Sequence, residues 1–214
     1  MKIGILGSGN VGRALGLGLA ALGHDVKIGT RNPKAEALRE WAAAAGPKAS
    51  VGSPADAAAH GEIVFLATAW SGAEHAIGLA GPGNFATKIV VDVTNPLRFE
   101  PGKPPALAVS GDDSGGEQVQ RWLPESRVVK AFNIVGSAHM FRPDFPGGPP
   151  DMFLGGDDAG AKREVTEILT SFGWNVTDLG GIETARYLES LAMVWILHAV
   201  RTKSTGHAFK LLRK

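Results

Sequence analysis

Gly7-Ser8-Gly9-Asn10-Val11-Gly12 joins an apolar run of strand length, Lys2-Ile3-Gly4-Ile5-Leu6, to Asn10–Leu22, where Val11, Leu15, Leu19 and Leu22 fall on one helical stripe. A glycine-rich turn that follows a strand and opens a helix is a dinucleotide-binding fingerprint. Each glycine has its own task. Gly7 permits the tight turn, Gly9 lets backbone approach a pyrophosphate, and Gly12 lets the helix pack close to the strand. The N–H groups of the first helical turn have no partner within the helix and meet the phosphate charge. Ser8, Asn10 and Val11 complete the cradle.

Outward from this turn, strand-like and helix-like segments alternate. Asp25–Gly29 reads as a second strand. Asn32-Pro33 reads as a cap followed by proline at the first helical position, opening a helix to Ala45. A short strand at Ala49–Val51, a short helix at Pro54–His60, strands at Ile63–Ala67, Ile89–Val93 and Arg127–Phe132, and a helix at Ser71–Leu79 continue the pattern. Pro101–Pro105 and Arg142–Asp151 read as loops. Later come a strand at Met152–Leu154, a helix at Ala159–Phe172, a strand at Asn175–Leu179 and a long helix at Ile182–Val200. That last helix is apolar almost continuously from Leu191, as a helix buried in a core or at a subunit interface would be. The alternation predicts an α/β fold: a Rossmann, doubly wound and mainly parallel sheet with a small C-terminal α/β extension. Residues 1–140 are expected to form the dinucleotide-binding domain. Residues 141–214 are expected to pack on it, complete an acceptor site and offer a dimer interface.

The second strand selects the dinucleotide. An NAD site carries Asp or Glu about 20 residues beyond the fingerprint, on the ribose 2′-hydroxyl. Here the tip reads Thr30-Arg31-Asn32-Pro33-Lys34, with no carboxylate. A carboxylate would repel a 2′-phosphate, whereas Arg31 can clasp it bidentately, helped by Thr30 and Lys34. The cofactor expected is NADP(H).

Ligands of doubly wound sheets lie beyond the carboxyl ends of the strands. That rule nominates Ala67, Thr68, Ala69 and Trp70, then Asn95, then Asn133, Val135 and Gly136 for the nicotinamide and its partner. Trp70 could instead cap a strand, and Asn95-Pro96 or Asn133 could serve only to turn the chain. Acid–base chemistry is sparse. His24, His60, His75, His139, His198 and His207 have no metal-ligand spacing, so no metal site is expected. Lys130 lies inside a strand, as proton donor or as half of an ion pair. Tyr187 has no Tyr-x-x-x-Lys arrangement after it. No catalytic residue is assigned. Reducing a carbonyl requires a positioned acid; passing hydride to a flavin-like ring requires chiefly two flat rings held face to face.

Composition narrows the classes. The 214 residues are 44% apolar and 20% charged, ordinary for a globular chain and too apolar for a disordered one. A net charge of +1 gives no nucleic-acid footprint. There is no Cys, hence no disulfide, thiol chemistry or Cys-held metal. The longest stretch free of Asp, Glu, Lys and Arg, His75 to Thr87, falls short of the ~20 residues a membrane helix needs. No membrane contact and a cytoplasmic location are expected. Arg201, Lys203, Lys210, Arg213 and Lys214 make the tail basic; it either stays solvated or attracts an acidic acceptor tail.

In order along the chain stand GSGNVG at 7–12, GTRNP at 29–33, VVDVTNP at 90–96, VVKAFN at 128–133 and PDFPGGPPDMFLGGDD at 143–158. On these motifs the whole chain resembles the coenzyme F-420-dependent NADP oxidoreductases, the NADPH:deazaflavin reductases, in their bacterial branch. It is also similar to the cytoplasmic part of the six-transmembrane metalloreductases. The resemblance implies hydride exchange between NADP(H) and a small-molecule ring acceptor, a deazaflavin (coenzyme F-420) or a flavin (FMN or FAD), in a homodimer. It implies that Gly7 to Gly12 cradle the pyrophosphate, Thr30 and Arg31 hold the 2′-phosphate, and the segments after Ala67 and Asn133 border the stacked rings. Where the archaeal deazaflavin reductases have His, this chain has Asn133, as the flavin-using relatives do, so both acceptors stay open. Two other readings are a carbonyl or imine reductase of small metabolites and a module that senses NADP(H) without turnover.

Overall fold

A computed structural model describes residues 1–212 and 214. In chain order the elements are β1 (Lys2–Leu6), α1 (Asn10–Ala21), β2 (Asp25–Gly29), α2 (Glu36–Ala45), β3 (Ala49–Gly52), α3 (Pro54–His60), β4 (Ile63–Leu66), α4 (Ala73–Ala80) and β5 (Ile89–Asp92). After a small hairpin of β6 (Leu97–Arg98) and β7 (Ala106–Leu107) come α5 (Gly115–Trp122), β8 (Arg127–Lys130), β9 (Asp151–Gly156), α6 (Ala159–Ser171), β10 (Asn175–Asp178) and α7 (Ala185–Thr202).

Eight strands form one sheet in the order β10-β9-β8-β5-β4-β1-β2-β3. Every neighbouring pair is parallel except β8 and β9, which run antiparallel with Val129 opposite Gly156. The strand order reverses at β1, which lies between β2 and β4, so the crevice opens beyond the carboxyl end of β1. The central strands are buried on both faces, which is why Ile63-Val64-Phe65-Leu66 reads as an unbroken apolar run. Alternate residues serve opposite layers. Ile3, Ile5 and Phe65 pack with Leu15, Leu19, Trp41 and Phe172 on the side of α1, α2 and α6. Leu6, Val64 and Leu66 pack with Ala57, Ile77 and Val119 on the side of α3, α4 and α5. The Rossmann architecture expected from the alternation is the one observed, and the segment after residue 140 extends the same sheet.

Several boundaries differ from the sequence reading. The helix expected to open at Asn32-Pro33 begins at Glu36, capped at Ala35 with no side-chain bond. Asn32 sits in a turn instead: its carbonyl accepts from the Ala35 N–H and its N–H donates to Thr30 Oγ1. Helix α5 and the β6–β7 hairpin were not anticipated. The α5 segment is short and polar, and its start is signalled only by Ser114, whose hydroxyl accepts from the Glu117 N–H. The long C-terminal helix is two-faced. Leu188, Ala192 and Trp195 are buried, while Tyr187, Val194, Leu197 and Val200 are exposed. Among the described residues no helix is long and apolar enough to cross a membrane.

Candidate active site

The β1–α1 turn is built as its glycines demand. Gly7 has φ of 121°, in the left-handed region, and a Cβ there would lie 2.4 Å from the Ala67 carbonyl oxygen. A Cβ on Gly12 would lie 2.0 Å from the Gly7 carbonyl oxygen, so α1 touches the turn there. Gly9 is different. Nothing lies within 4 Å of where its Cβ would stand, so its face is open. Gly9 is also the α1 cap and supplies no side-chain bond, whereas α3, α5 and α6 are capped by Ser53, Ser114 and Asp158. The first N–H groups of α1 are thus left to a ligand.

The tip of β2 faces this turn. Ser8 Oγ and Thr30 Oγ1 are 3.1 Å apart. Gly7, Ser8, Gly9, Thr30 and Arg31 line one cavity of about 480 Å³ with Ala67, Thr68 and Ala69. No Asp or Glu lines it. Asp56, at the start of α3, is turned onto Ser53, whose hydroxyl and N–H donate to it at 2.7 and 2.9 Å. Those bonds, the hydroxyl's first, hold its carboxyl below the ordinary range, so it stays an occupied anion. Arg31 is exposed at the cavity edge. Lys34 is exposed and does not line the cavity.

A second cavity, of about 550 Å³, adjoins the first, sharing Ala67, Thr68, Ala69 and Ser71. Val11, Trp70, Val93, Thr94, Asn95, Leu97, Arg98, Phe99 and Ala108 complete its wall. Trp70 is stacked on Trp122 with ring centroids 5.3 Å apart, which fixes its face. Thr68 Oγ1 is buried without a partner among the described residues. Asn133 stands behind Asn95 rather than in the wall. Its Nδ2 donates to Asn95 Oδ1 and to the Leu188 carbonyl, both at 3.0 Å, and its carbonyl accepts from Asn95 Nδ2 at 2.8 Å. Asn133 Oδ1 has no partner among the described residues. The turn that places it uses Phe132 in the left-handed region, φ 60°, with its ring clamped between Phe65 and Phe172. Val135 is buried, and Gly136 lies against Thr205 and Trp195; neither lines either of these two cavities. Of the tail, Lys210 is bonded to the Pro149 carbonyl at 2.8 Å, and Arg213 lies outside the described residues.

Directly behind Thr94 is a charge cluster that sequence reasoning left half-resolved. Lys130 Nζ lies 2.9 Å from Asp92 Oδ2 and 2.8 Å from Glu189 Oε1, and all three side chains are buried. Lys130 also donates to the Thr94 carbonyl, and Asp92 accepts from the Thr94 N–H and hydroxyl. Glu189 accepts from the Gly115 and Gly116 N–H groups that open α5. Burial acts against the Lys130 charge, but Asp92 and Glu189 together outweigh it and hold the ammonium above its ordinary range. Lys130 is therefore a fixed cation tying β5, β8, α5 and α7, not a free proton donor. The signal was available: Asp92 and Lys130 interrupt adjacent apolar strands at paired positions.

The residues present suit a dinucleotide. An uncapped helix start and an open glycine face border two joined cavities, and the buried Thr68 hydroxyl on their shared wall has no partner among the described residues. Residues 2–96 match the family model described as NADP oxidoreductase, coenzyme F420-dependent. The F420-dependent NADP reductase of Methanocaldococcus jannaschii is 31% identical over 99% of this chain and 98% of its own length. The chain belongs to the coenzyme F420-dependent NADP oxidoreductase family. It is an NADP-dependent oxidoreductase, as its motifs implied. A solved structure from Arthrobacter sp. FB24, a candidate F420-dependent NADP reductase, is 42% identical and superposes over all of both chains with a TM-score of 0.93. The metalloreductase STEAP3 of Rattus norvegicus is 31% identical over 90% of this chain, which spans only 36% of that protein's length. An imine reductase of Streptomyces aurantiacus shares the fold alone, at 16% identity with a TM-score of 0.66 over 94% of this chain and 64% of its own.

Proposed function

We propose that this NADP-dependent oxidoreductase exchanges a hydride between NADP(H) and a deazaflavin or flavin ring. The observation that carries the reading is the second cavity: it opens from the dinucleotide cleft and is walled by Trp70, Val93, Leu97 and Phe99, while no His, Tyr, Lys or carboxylate side chain lines it among the described residues. Such a wall orients a flat ring and excludes water, and it supplies no acid to a carbonyl oxygen. The family membership supports the same acceptor class.

In this reading Gly7 to Gly12 bind the pyrophosphate through the open start of α1. Thr30 and Arg31 take the 2′-phosphate, with Lys34 adding only a diffuse positive field. Ala67, Thr68 and Ala69 bridge the two cavities, and the buried Thr68 hydroxyl is aligned on the cofactor's nicotinamide half. Asn95, braced by Asn133, sets the floor of the acceptor side, and Val135 with Gly136 supports that brace from behind. When bound, the dihydronicotinamide would supply a hydride to the acceptor ring and become NADP⁺, and a proton from solvent would complete the ring's reduction. Residues 1–140 carry the nucleotide, and residues 141–214 complete the acceptor side through the Leu188 carbonyl and the α7 brace. The exposed apolar stripe of α7 supports a homodimer.

The test is NADPH oxidation with coenzyme F420, FMN, FAD, a small ketone and a cyclic imine in turn. Turnover with one or more ring acceptors and none with the ketone or imine is expected. Preferred turnover of the imine, or tight NADPH binding with no turnover at all, would overturn the reading.

A further inference from the structure

Phe99 is 71% exposed, yet it lines the second cavity. An aromatic ring left in water at a cavity mouth has lost the burial that normally holds it. Its position follows from the hairpin. β6 and β7 pair with each other and not with the main sheet, Leu97 opposite Leu107 and Arg98 opposite Ala106. The hairpin is anchored at its base, where the Leu97 N–H donates to the Asn95 carbonyl and the Ala108 N–H to the Pro96 carbonyl. Beyond the base, β7 lies beside α7, and the ion pairs of the β6 side are internal. Arg98 Nε lies 3.0 Å from Glu100 Oε1, and Lys103 Nζ 2.6 Å from Glu100 Oε2. Arg98 also lines the cavity, and its side chain is largely exposed, paired with Glu100 through Nε. Trp70 lines the same cavity and is held by its stack on Trp122. The mouth thus has one fixed aromatic wall, one unsupported aromatic ring and an adjacent guanidinium.

Resting on the proposed function, we infer that the β6–β7 hairpin is the acceptor clamp: Phe99 stacks on the outer face of the acceptor ring, and Arg98 takes the phosphate of its side chain. A flat ring offers a face to Phe99, and offset stacking of two rings is favourable beyond the area it buries. A guanidinium holds phosphate oxygens in a forked geometry. The pair favours phosphorylated ring compounds over their neutral parents. Leu97, Arg98 and Phe99 line the second cavity and not the one beside the β2 tip, so the clamp acts on the acceptor and not on NADPH.

The experiment compares the full chain with Phe99→Ala, Phe99→Trp and Arg98→Gln. Measured are the Kd of NADPH, the Kd and KM of FMN and riboflavin, and kcat at saturating acceptor. Phe99→Ala should raise the Kd and KM of both ring compounds about threefold to tenfold, with the NADPH Kd unchanged, and Phe99→Trp should restore them. Arg98→Gln should raise the Kd of FMN but not that of riboflavin, erasing the preference for the phosphate. Ring-compound Kd values unmoved by Phe99→Ala, or an equal effect of Arg98→Gln on FMN and riboflavin, would overturn the clamp. A changed sedimentation coefficient for Phe99→Ala with unmoved Kd values would assign the ring to a subunit contact and overturn it equally. Absence of ring-acceptor turnover in the unsubstituted chain would instead overturn the proposed function, and the two failures are read separately.

Discussion

Single residues in the nucleotide turn separate fold from ligand. A methyl group on Gly9 meets open space, and its backbone is ordinary extended chain, so Gly9→Ala should leave the thermal midpoint within about 2 °C while sharply raising the NADPH Kd. A methyl on Gly12 meets the Gly7 carbonyl oxygen, and Gly12→Ala should lower stability by about 1–3 kcal/mol before any ligand is added. Thermal melts with and without NADPH check both; a destabilised apo Gly9→Ala would contradict the open face. At the β2 tip, Arg31→Ala should weaken NADPH by ~1.5–3 kcal/mol, the range of a charged hydrogen bond, and leave NADH almost unchanged. Calorimetric titration of both nucleotides decides it, since equal losses would refute a 2′-phosphate contact. The phosphate half of the site was legible because its demands are local: a turn needing φ above zero, a helix start without a side-chain cap, and a strand tip without a carboxylate. The acceptor half was legible only in part. Thr68, Trp70 and Asn95 follow strand ends and could be named by rule, but Arg98 and Phe99 sit on a hairpin whose position depends on anchoring through Asn95 and Pro96.

At the level of elements, buried charge does what hydrophobic packing cannot. The Lys130–Asp92–Glu189 cluster joins two strands to the start of α5 and to the second turn of α7. Removing one member leaves uncompensated charge in the interior, so Lys130→Met should destabilise by about 3–5 kcal/mol in urea unfolding; a loss under about 1 kcal/mol would mean the carboxylates find other partners. A shallower pair fixes the entry to α5. The Arg121 side chain, bonded to Asp113 at 2.8 Å, leads the causes that hold Asp113 down at about 2. Its folded value lies below the unfolded one, so the pair's contribution is complete above about pH 4 and is lost as pH falls towards 2. Because Arg121 is largely exposed, the effect should stay under about 1 kcal/mol. Urea midpoints across that window should fall less for Asp113→Asn than for the unsubstituted chain. Strands buried on both faces were the easiest elements to read, as four-residue apolar runs bounded by turns. Helix α5 escaped because its eight residues include two glycines and three charged or amide side chains between Glu117 and Gln120, and tertiary charge rather than propensity holds it. The start of α2 was misplaced for a related reason. Asn32-Pro33 has the residue types of a cap, but Asn32 instead donates its N–H to Thr30, in the turn that shapes the phosphate corner.

For the whole molecule, the long C-terminal helix poses the remaining question. Its inner face is committed: Leu188 and Trp195 are buried, Glu189 joins the charge cluster, and the Leu188 carbonyl holds Asn133. Its outer face presents Tyr187, Val194, Leu197 and Val200, and no Asp, Glu, Lys or Arg occurs from Ser190 to Val200 to wet it. Those four side chains lie at helical spacing along about 20 Å of axis. A stripe of that length and character matches a second copy of itself about a two-fold axis, since an isologous interface needs only one self-complementary patch. Pairing there would stiffen α7, and through Leu188 and Glu189 it would steady both the Asn95–Asn133 brace and the charge cluster behind Thr94. Leu197→Glu places a charge at the centre of the stripe without touching the inner face. Sedimentation should show a dimer for the unsubstituted chain and a monomer for Leu197→Glu, with unchanged far-ultraviolet dichroism. If assembly supports the acceptor side, the variant should also show a higher acceptor KM and an unchanged NADPH Kd. A chain that sediments as a monomer at all concentrations before substitution would remove the dimer and, with it, this route from the surface to the site.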